Sequence, residues 1–346
     1  MAKVCLLAVV LGVDIVKAHE IVPAVVNLRS WSEAYRLAEE KLSELTLWER
    51  TRLVNGVGWW PNWVWQRGYY VGNIAGVPSK EVPWLKMQDA GNGFRSQSQS
   101  QAGTSVVWPC ALAAASTWDE ELVEQQAIAI GHEFRGKDAN VALGPGVNVH
   151  RVARGGRNFE YLSGEDPYLG ARLVRPYVRG IQSQGVLAVV KHFAFNEQET
   201  HRRWESSNVD DQTAWELYYP PFEAAVDAGA ASLMCAYNRV NGTPACSNRD
   251  LLVRDLREKM GFHGFVMSDW AATHGMTMES GLDMDQPGFD GFYSYWHVSH
   301  KEEALNISAQ RILASIFRVR LEQEQKSCIP PSCLEAQSRN VSLPEH

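Results

Sequence analysis

The sequence predicts an α/β fold, a TIM-type (β/α)8 barrel with incomplete last units, on three observations. Short apolar runs of strand length alternate with helix-patterned segments from residue 31 to 320. The runs are continuously apolar rather than alternating, as expected of parallel strands covered on both faces. Each run also ends in polar residues, and the C-terminal strand ends of such a barrel build its site. A doubly wound open sheet is the alternative reading of the same alternation.

Taken in chain order, residues 32–54 have a helical pattern, with Thr46 and Glu49 spaced as a capping box at a second helix start. Thr117 and Glu120 repeat that spacing before the amphipathic run Leu122 to Phe134. Asp166-Pro167 starts another helix with Pro at its first position, and Pro176 is expected to kink it. The strand-length runs are Val141 to Val149, Leu187 to Phe195, Ala231 to Tyr237 and Phe265 to Ser268. No linker divides them, so residues 31–320 are read as one domain. Residues 1–18 are read as a signal peptide, because Lys3 precedes an apolar run from Val4 to Val13 and Val16-Lys17-Ala18 offers a small-residue cleavage site. That run is too short to span a membrane, and the expected location is outside the cell. Residues 321–346 are polar, carry Pro330-Pro331, and are read as a tail or linker.

Composition narrows the function. A chain of 346 residues with 45% hydrophobic and 21% charged residues is an ordinary globular protein. Its net charge of -7 offers no basic footprint for nucleic acid or an anionic membrane. A neutral polar substrate fits better than a phosphorylated one. The 13 Trp residues suit packing against sugar C–H groups, although each taken singly also reads as core. Six cysteines agree with an oxidising compartment. Cys235 with Cys246, and Cys328 with Cys333, would each close a short loop, whereas Cys5 and Cys110 read as free thiols. Asn241, Asn306 and Asn340 head glycosylation sequons.

The sharpest chemical signal is Gly264 to Trp270, an apolar strand that delivers Asp269 beside the aromatic Trp270. A carboxylate so placed can attack an anomeric carbon and form a covalent glycosyl-enzyme. Alone, it could equally be a solvated loop carboxylate. Lys191-His192 ends another run, and both side chains can donate to vicinal hydroxyls. Arg157 follows the turn Gly155-Gly156, where it can reach hydroxyls or hold a carboxylate charged. Asp89 to Arg95 is a glycine-rich loop with a carboxylate that can accept from two hydroxyls at once.

These segments, in this order, resemble glycoside hydrolase family three and its β-glucosidase branch. The match runs from Leu42 to Phe317 through Gly144 to Asn148, Gly156 to Glu160, Glu165-Asp166-Pro167, Lys191-His192-Phe193, Met234 to Asn238, Ser268-Asp269-Trp270 and Gly281 to Asp285. The resemblance implies that Asp269 is the nucleophile and Trp270 the aromatic beside the first sugar subsite. It implies that Asp89, Arg157, Lys191, His192 and Tyr237 hold the terminal sugar, with Met234 and Arg95 near it. It implies a Cys235–Cys246 loop disulfide, no cofactor and no metal. The expected partner is a β-glucoside or oligosaccharide.

Three departures from the family pattern matter. Members with these motifs carry their acid/base Glu on a second domain, which is expected to be separate from or missing in this chain. The loop Phe193 to Glu197 lacks the His pattern of barrel-only members. Residues 288–301 look short for the last barrel units. The expected activity is retaining hydrolysis of terminal β-D-glucosyl residues with the acid/base domain missing. The alternatives are a catalytically weak sugar-binding barrel and a β-xylosidase. Glu160, Glu197 and Glu199 are candidate substitute acids. A metal hydrolase built on His132, Glu133, His192, His201 and Asp269 is disfavoured, because His132 has no partner His at helical spacing.

Overall fold

The computed structural model describes residues 25–58, 70–96, 101–275, 277–323, 328, 329 and 333. The proposed signal peptide, Cys5, Asn340 and most of the tail lie outside them.

Helices α1 (Trp31–Glu44) and α2 (Leu47–Val54) divide the first helical stretch at Leu45-Thr46. The capping box forms as read: the Thr46 hydroxyl accepts from Glu49 N–H, and Glu49 Oε2 accepts from Thr46 N–H at 2.9 Å. Helix α3 (Glu120–Gly136) is capped differently from expectation. Asp119, not Thr117, accepts the Leu122 N–H, while the Thr117 hydroxyl donates to Ala114 O one turn back. A carboxylate adjoining the first turn displaced the hydroxyl two residues earlier. Helix α4 (Pro167–Ser183) starts at Asp166 as predicted and runs on through Pro176. Helices α5 (Pro220–Asp227) and α6 (Glu302–Arg318) complete the main outer layer.

The principal sheet has six strands in the order β1-β2-β3-β4-β6-β9. Four fall within the sequence-read runs, three of them shorter than read: β3 (Val141–Leu143), β4 (Leu187–Phe193), β6 (Ser232–Cys235) and β9 (Phe265–Ser268). Strands β1 (Gly72–Ile74) and β2 (Leu85–Asp89) were not foreseen. From β2 to β9 every pairing is parallel, but β1 runs antiparallel to β2, which corrects the all-parallel expectation. All seven residues of β4 are buried, because helices and neighbouring strands cover both faces. Each such Val or Leu contributes about 1.5–3 kcal/mol relative to its exposed state.

The sheet curls. Beyond β9, Met284 bridges Met267, Asp285 bridges Asn55, and Gly56 bridges Ile74 of β1. Short segments at 54–57 and 283–286 therefore link the two sheet edges in an α/β barrel-like fold. Among the described residues between β9 and Met284 there is one helical turn, Met278–Ser280, and residues 288–301, which the sequence marked as short, hold the short helix Tyr295–Val298.

A small second sheet pairs β5 (Ser206–Ser207), β7 (Arg239–Val240) and β8 (Thr243–Pro244). Its hairpin turns at Asn241-Gly242, with φ of 49° and 85°. Two successive left-handed residues are what a two-residue hairpin requires. The Asn241 side chain is engaged by the Val209 main chain, accepting from its N–H and donating to its carbonyl. Cys235 and Cys246 are bonded across this region with Cα atoms 5.2 Å apart, and Cys328 is bonded to Cys333. Cys110 is free.

Asp283, from the last matched motif, has a structural task. It is fully buried and accepts from Arg257 at 2.5 Å, Arg311 at 2.9 Å, Ser308 at 3.1 Å and the Val266 N–H at 2.8 Å. It thus ties α6 and the helix over Asp250–Lys259 to β9. Asp283→Ala is expected to cost about 3–5 kcal/mol, since two enclosed guanidinium groups lose their counter-charge. The urea midpoint of the variant measures this, and an unchanged midpoint would refute it.

Candidate active site

Parallel strands aim their C-terminal ends the same way, so residues at those ends gather by topology. Asp89 is the last residue of β2, Lys191 and His192 lie at the end of β4, Tyr237 follows β6, and Asp269 follows β9 directly. Arg157 precedes the turn Asn158–Glu160, in the long loop after β3. A cavity of about 570 Å³ opens here. Six of the predicted residues line it: Asp89, Arg95, Arg157, Tyr237, Asp269 and Trp270.

Three others stand behind that wall. Met234 is buried in β6, in register with Met267. Lys191 is buried with its ammonium 3.7 Å from Glu160 Oε1. His192 is buried with Nε2 3.3 Å from Arg157 Nη2 and 3.6 Å from Asp269 Oδ2. Because Arg157 can only donate, His192 Nε2 accepts, which leaves its Nδ1–H to donate to the Tyr161 hydroxyl at 3.0 Å. Burial, with Arg157, Lys191 and Arg202 nearby, holds the His192 pKa well below the ordinary value, so the ring is neutral.

Asp269 has two unlike oxygens. Oδ1 accepts from the Trp270 N–H at 2.7 Å, whereas Oδ2 is buried without a hydrogen-bond partner. Burial raises the Asp269 pKa, and Arg157, the Trp270 amide, Lys191 and the Tyr237 hydroxyl counter it. Burial likewise opposes the Arg157 charge, but Tyr161, Glu160 and Asp269 outweigh it, and its pKa is raised. Tyr237 donates to the Trp270 carbonyl at 2.9 Å, and Arg202 lies over its ring, 4.1 Å from the centroid. Asp89 is held by Arg95 at 2.6 Å.

A carboxylate with one free oxygen, among cations at a cavity wall, is suited to nucleophilic attack. Among the described residues no group of three or more His, Cys, Asp and Glu is placed to hold a metal ion.

Comparison with known proteins bears on this geometry. The family model described as the glycosyl hydrolase family 3 N terminal domain matches residues 73–286, which span β1 to the closing bridges. The chain belongs to glycosyl hydrolase family 3. A β-glucosidase of Rhizobium radiobacter is 41% identical over 293 residues, covering 82% of this chain and 34% of that protein. The probable β-glucosidase L of Emericella nidulans is 38% identical, covering 92% of this chain and 44% of that protein. The crystal structure of a β-D-glucoside glucohydrolase from Trichoderma reesei superposes with a TM-score of 0.78 at 36% identity, covering 85% of this chain and 42% of that one. The β-glucosidase 3B of Thermotoga neapolitana in complex with glucose gives 0.78 at 32%, with coverages of 88% and 44%. This family 3 chain thus spans less than half the length of these relatives.

Sequence reading passed over Arg202, Val71 and Ser96 on the cavity wall, and gave Glu199 only an alternative role. Glu199 joins two cavity cations, with Arg202 at 3.0 Å and Arg157 at 3.7 Å. The doublet Arg202-Arg203 in the loop after Lys191-His192 was the available signal. Glu160 is paired with Arg157 at 2.5 Å. Glu197 lines a different cavity, and burial pushes its carboxyl up to about 8.

Proposed function

We propose that this chain supplies the nucleophile and the sugar-holding wall of a retaining β-glucosidase. The observation that carries the reading is the free Oδ2 of Asp269 at the wall of a cavity lined by Asp89, Arg157 and Tyr237. In the proposed reaction Oδ2 attacks the anomeric carbon, the aglycone oxygen departs with the bond electrons, and water later releases the sugar. Arg157 and Lys191 keep the attacking group charged. Asp89 takes sugar hydroxyls, the neutral His192 steadies Arg157 from behind, and Trp270 faces the ring. The names of the relatives and the glucose complex of one of them support glucose as the sugar.

The proton for the leaving group is proposed to come from outside the described residues. Glu160 and Glu199 are both paired to cations here, and Glu197 faces elsewhere. We also infer that the ring is a closed eight-stranded barrel, supported by the bridges through Asn55 and Asp285. The two disulfides support placing the protein in an oxidising, extracellular setting.

The test compares leaving groups on the purified chain. Nitrophenyl β-glucoside needs no proton to depart, whereas cellobiose does. The first should react and cellobiose should lag by about 10²–10⁴-fold, the usual contribution of a general acid. No nitrophenol release at stoichiometric protein would overturn the glucosidase reading. Efficient cellobiose turnover would overturn the external proton donor alone.

A further inference from the structure

The cavity that Glu197 lines is distinct from the one at Asp269. Its volume is about 320 Å³, and its other polar walls include Arg151, Glu205, Ser207, Asp210 and Tyr218. What connects the two is Asn148, which is buried and makes three hydrogen bonds through one amide. Its Oδ1 accepts from the His192 N–H at 2.7 Å, and its Nδ2 donates to the His192 carbonyl at 3.1 Å. The same Nδ2 donates to Glu197 Oε1 at 3.1 Å. Both main-chain polar groups of His192 are thus held by one side chain, and Glu197 anchors that side chain from the far side.

We propose that Glu197 is a positioning residue for the glucosidase site: through Asn148 it fixes the main chain that holds Lys191 and His192 behind the sugar-holding wall, against Arg157 and Asp269. The inference rests on the function proposed above. An amide that bonds three groups has its direction set by all three, and loss of the outer one frees it to turn. His192 lies 3.6 Å from Asp269 and 3.3 Å from Arg157, so a small rotation at Asn148 reaches the reacting centre.

The anchor is also sensitive to alkali. Burial keeps the Glu197 carboxyl neutral up to about pH 8, and Glu205 adds to that effect. The groups facing it are Glu205 ahead of β5, Tyr161 after the Asn158–Glu160 turn, Tyr218 ahead of α5, and Arg151 after β3. Of these only Arg151 is a cation, and it is exposed. Ionisation above pH 8 therefore puts an anion into an enclosed site without a buried counter-charge, and the segment from Asn196 to Glu205 relaxes around it.

The experiment measures kcat and KM for nitrophenyl β-glucoside from pH 5 to 9.5 with the chain, Glu197→Gln and Glu197→Leu. Gln keeps the acceptor for Asn148 and cannot ionise. The wild-type kcat/KM should fall about tenfold above pH 8, mostly through KM. Glu197→Gln should match wild type near pH 6 within about twofold and lose that alkaline fall. Glu197→Leu should lower kcat/KM by more than about tenfold at every pH. An alkaline fall that persists in Glu197→Gln, or a Glu197→Leu enzyme equal to wild type, overturns the inference while leaving the glucosidase reading intact. If wild type releases no nitrophenol at any pH, the functional reading fails and the inference falls with it.

Discussion

Replacing Asp269 by Ala is expected to lower nitrophenol release from nitrophenyl β-glucoside by at least about 10³-fold. The reason lies in the unlike oxygens of this carboxylate. Oδ1 is fixed by the Trp270 N–H, which sets the plane of the group, and Oδ2 has no hydrogen-bond partner. No other described carboxylate on that wall has the same freedom, since Asp89 is held by Arg95 and Glu199 by Arg202. The leaving group in this assay needs no proton, so the loss reports on the nucleophile alone. Added azide can occupy the space vacated by the side chain and attack from the same face. It should restore release in the Ala variant and give a glucosyl azide of inverted configuration. Retained activity without azide would show that another group attacks, and the assignment of Asp269 would fall.

Glu197→Gln is expected to make the protein more stable than wild type in alkali, with little difference in acid. The wild-type carboxyl is held at about 8 in the folded chain, against an ordinary value of 4.5. Below pH 4.5 both folded and unfolded states hold the proton, and its retention costs nothing. Between 4.5 and 8 the unfolded chain releases the proton while the folded chain keeps it. Unfolded molecules then bind fewer protons, and stability falls as pH rises. The fall is complete near pH 8 and amounts to about 2–4 kcal/mol, allowing for screening by cavity water. Gln has no proton to lose, so the difference in unfolding free energy between variant and wild type should grow from near zero at pH 4 to that size at pH 8.5. Urea titrations at both values measure it. A pH-independent difference would place the Glu197 carboxyl in the ordinary range.

The runs at Leu187 to Phe195 and Phe265 to Ser268 were legible because buried parallel strands need no polar face, so composition alone marks them. Strands β1 and β2 were missed for the opposite reason. Asn73, Lys86 and Gln88 are polar, yet all are buried in the sheet, and their side chains turn to flanking loops. Asn73 donates to the Tyr70 carbonyl and Gln88 to the Arg95 carbonyl. Such partners come from loops whose position no local pattern gives. The cap of α3 was misread for a smaller reason: Thr117 and Asp119 both fit the rule, and only the local backbone path chose between them.

The sequence by itself determined the alternation of strands and helices, the strand-end placement of Lys191, His192, Tyr237 and Asp269, and the pairing of Cys235 with Cys246. These follow from local chemistry, from periodicity and from motifs whose order is specific. Only the tertiary structure decided which of those residues face the cavity and which stand behind it. It alone gave Asp269 one bound and one free oxygen, and it alone joined Glu197 to His192 through Asn148. Asn148 follows β3, His192 lies near the end of β4 and Glu197 follows that strand, so their meeting depends on how β3 and β4 pair. Burial then sets their proton affinities, because desolvation depends on everything packed around a group and not on its neighbours in the chain.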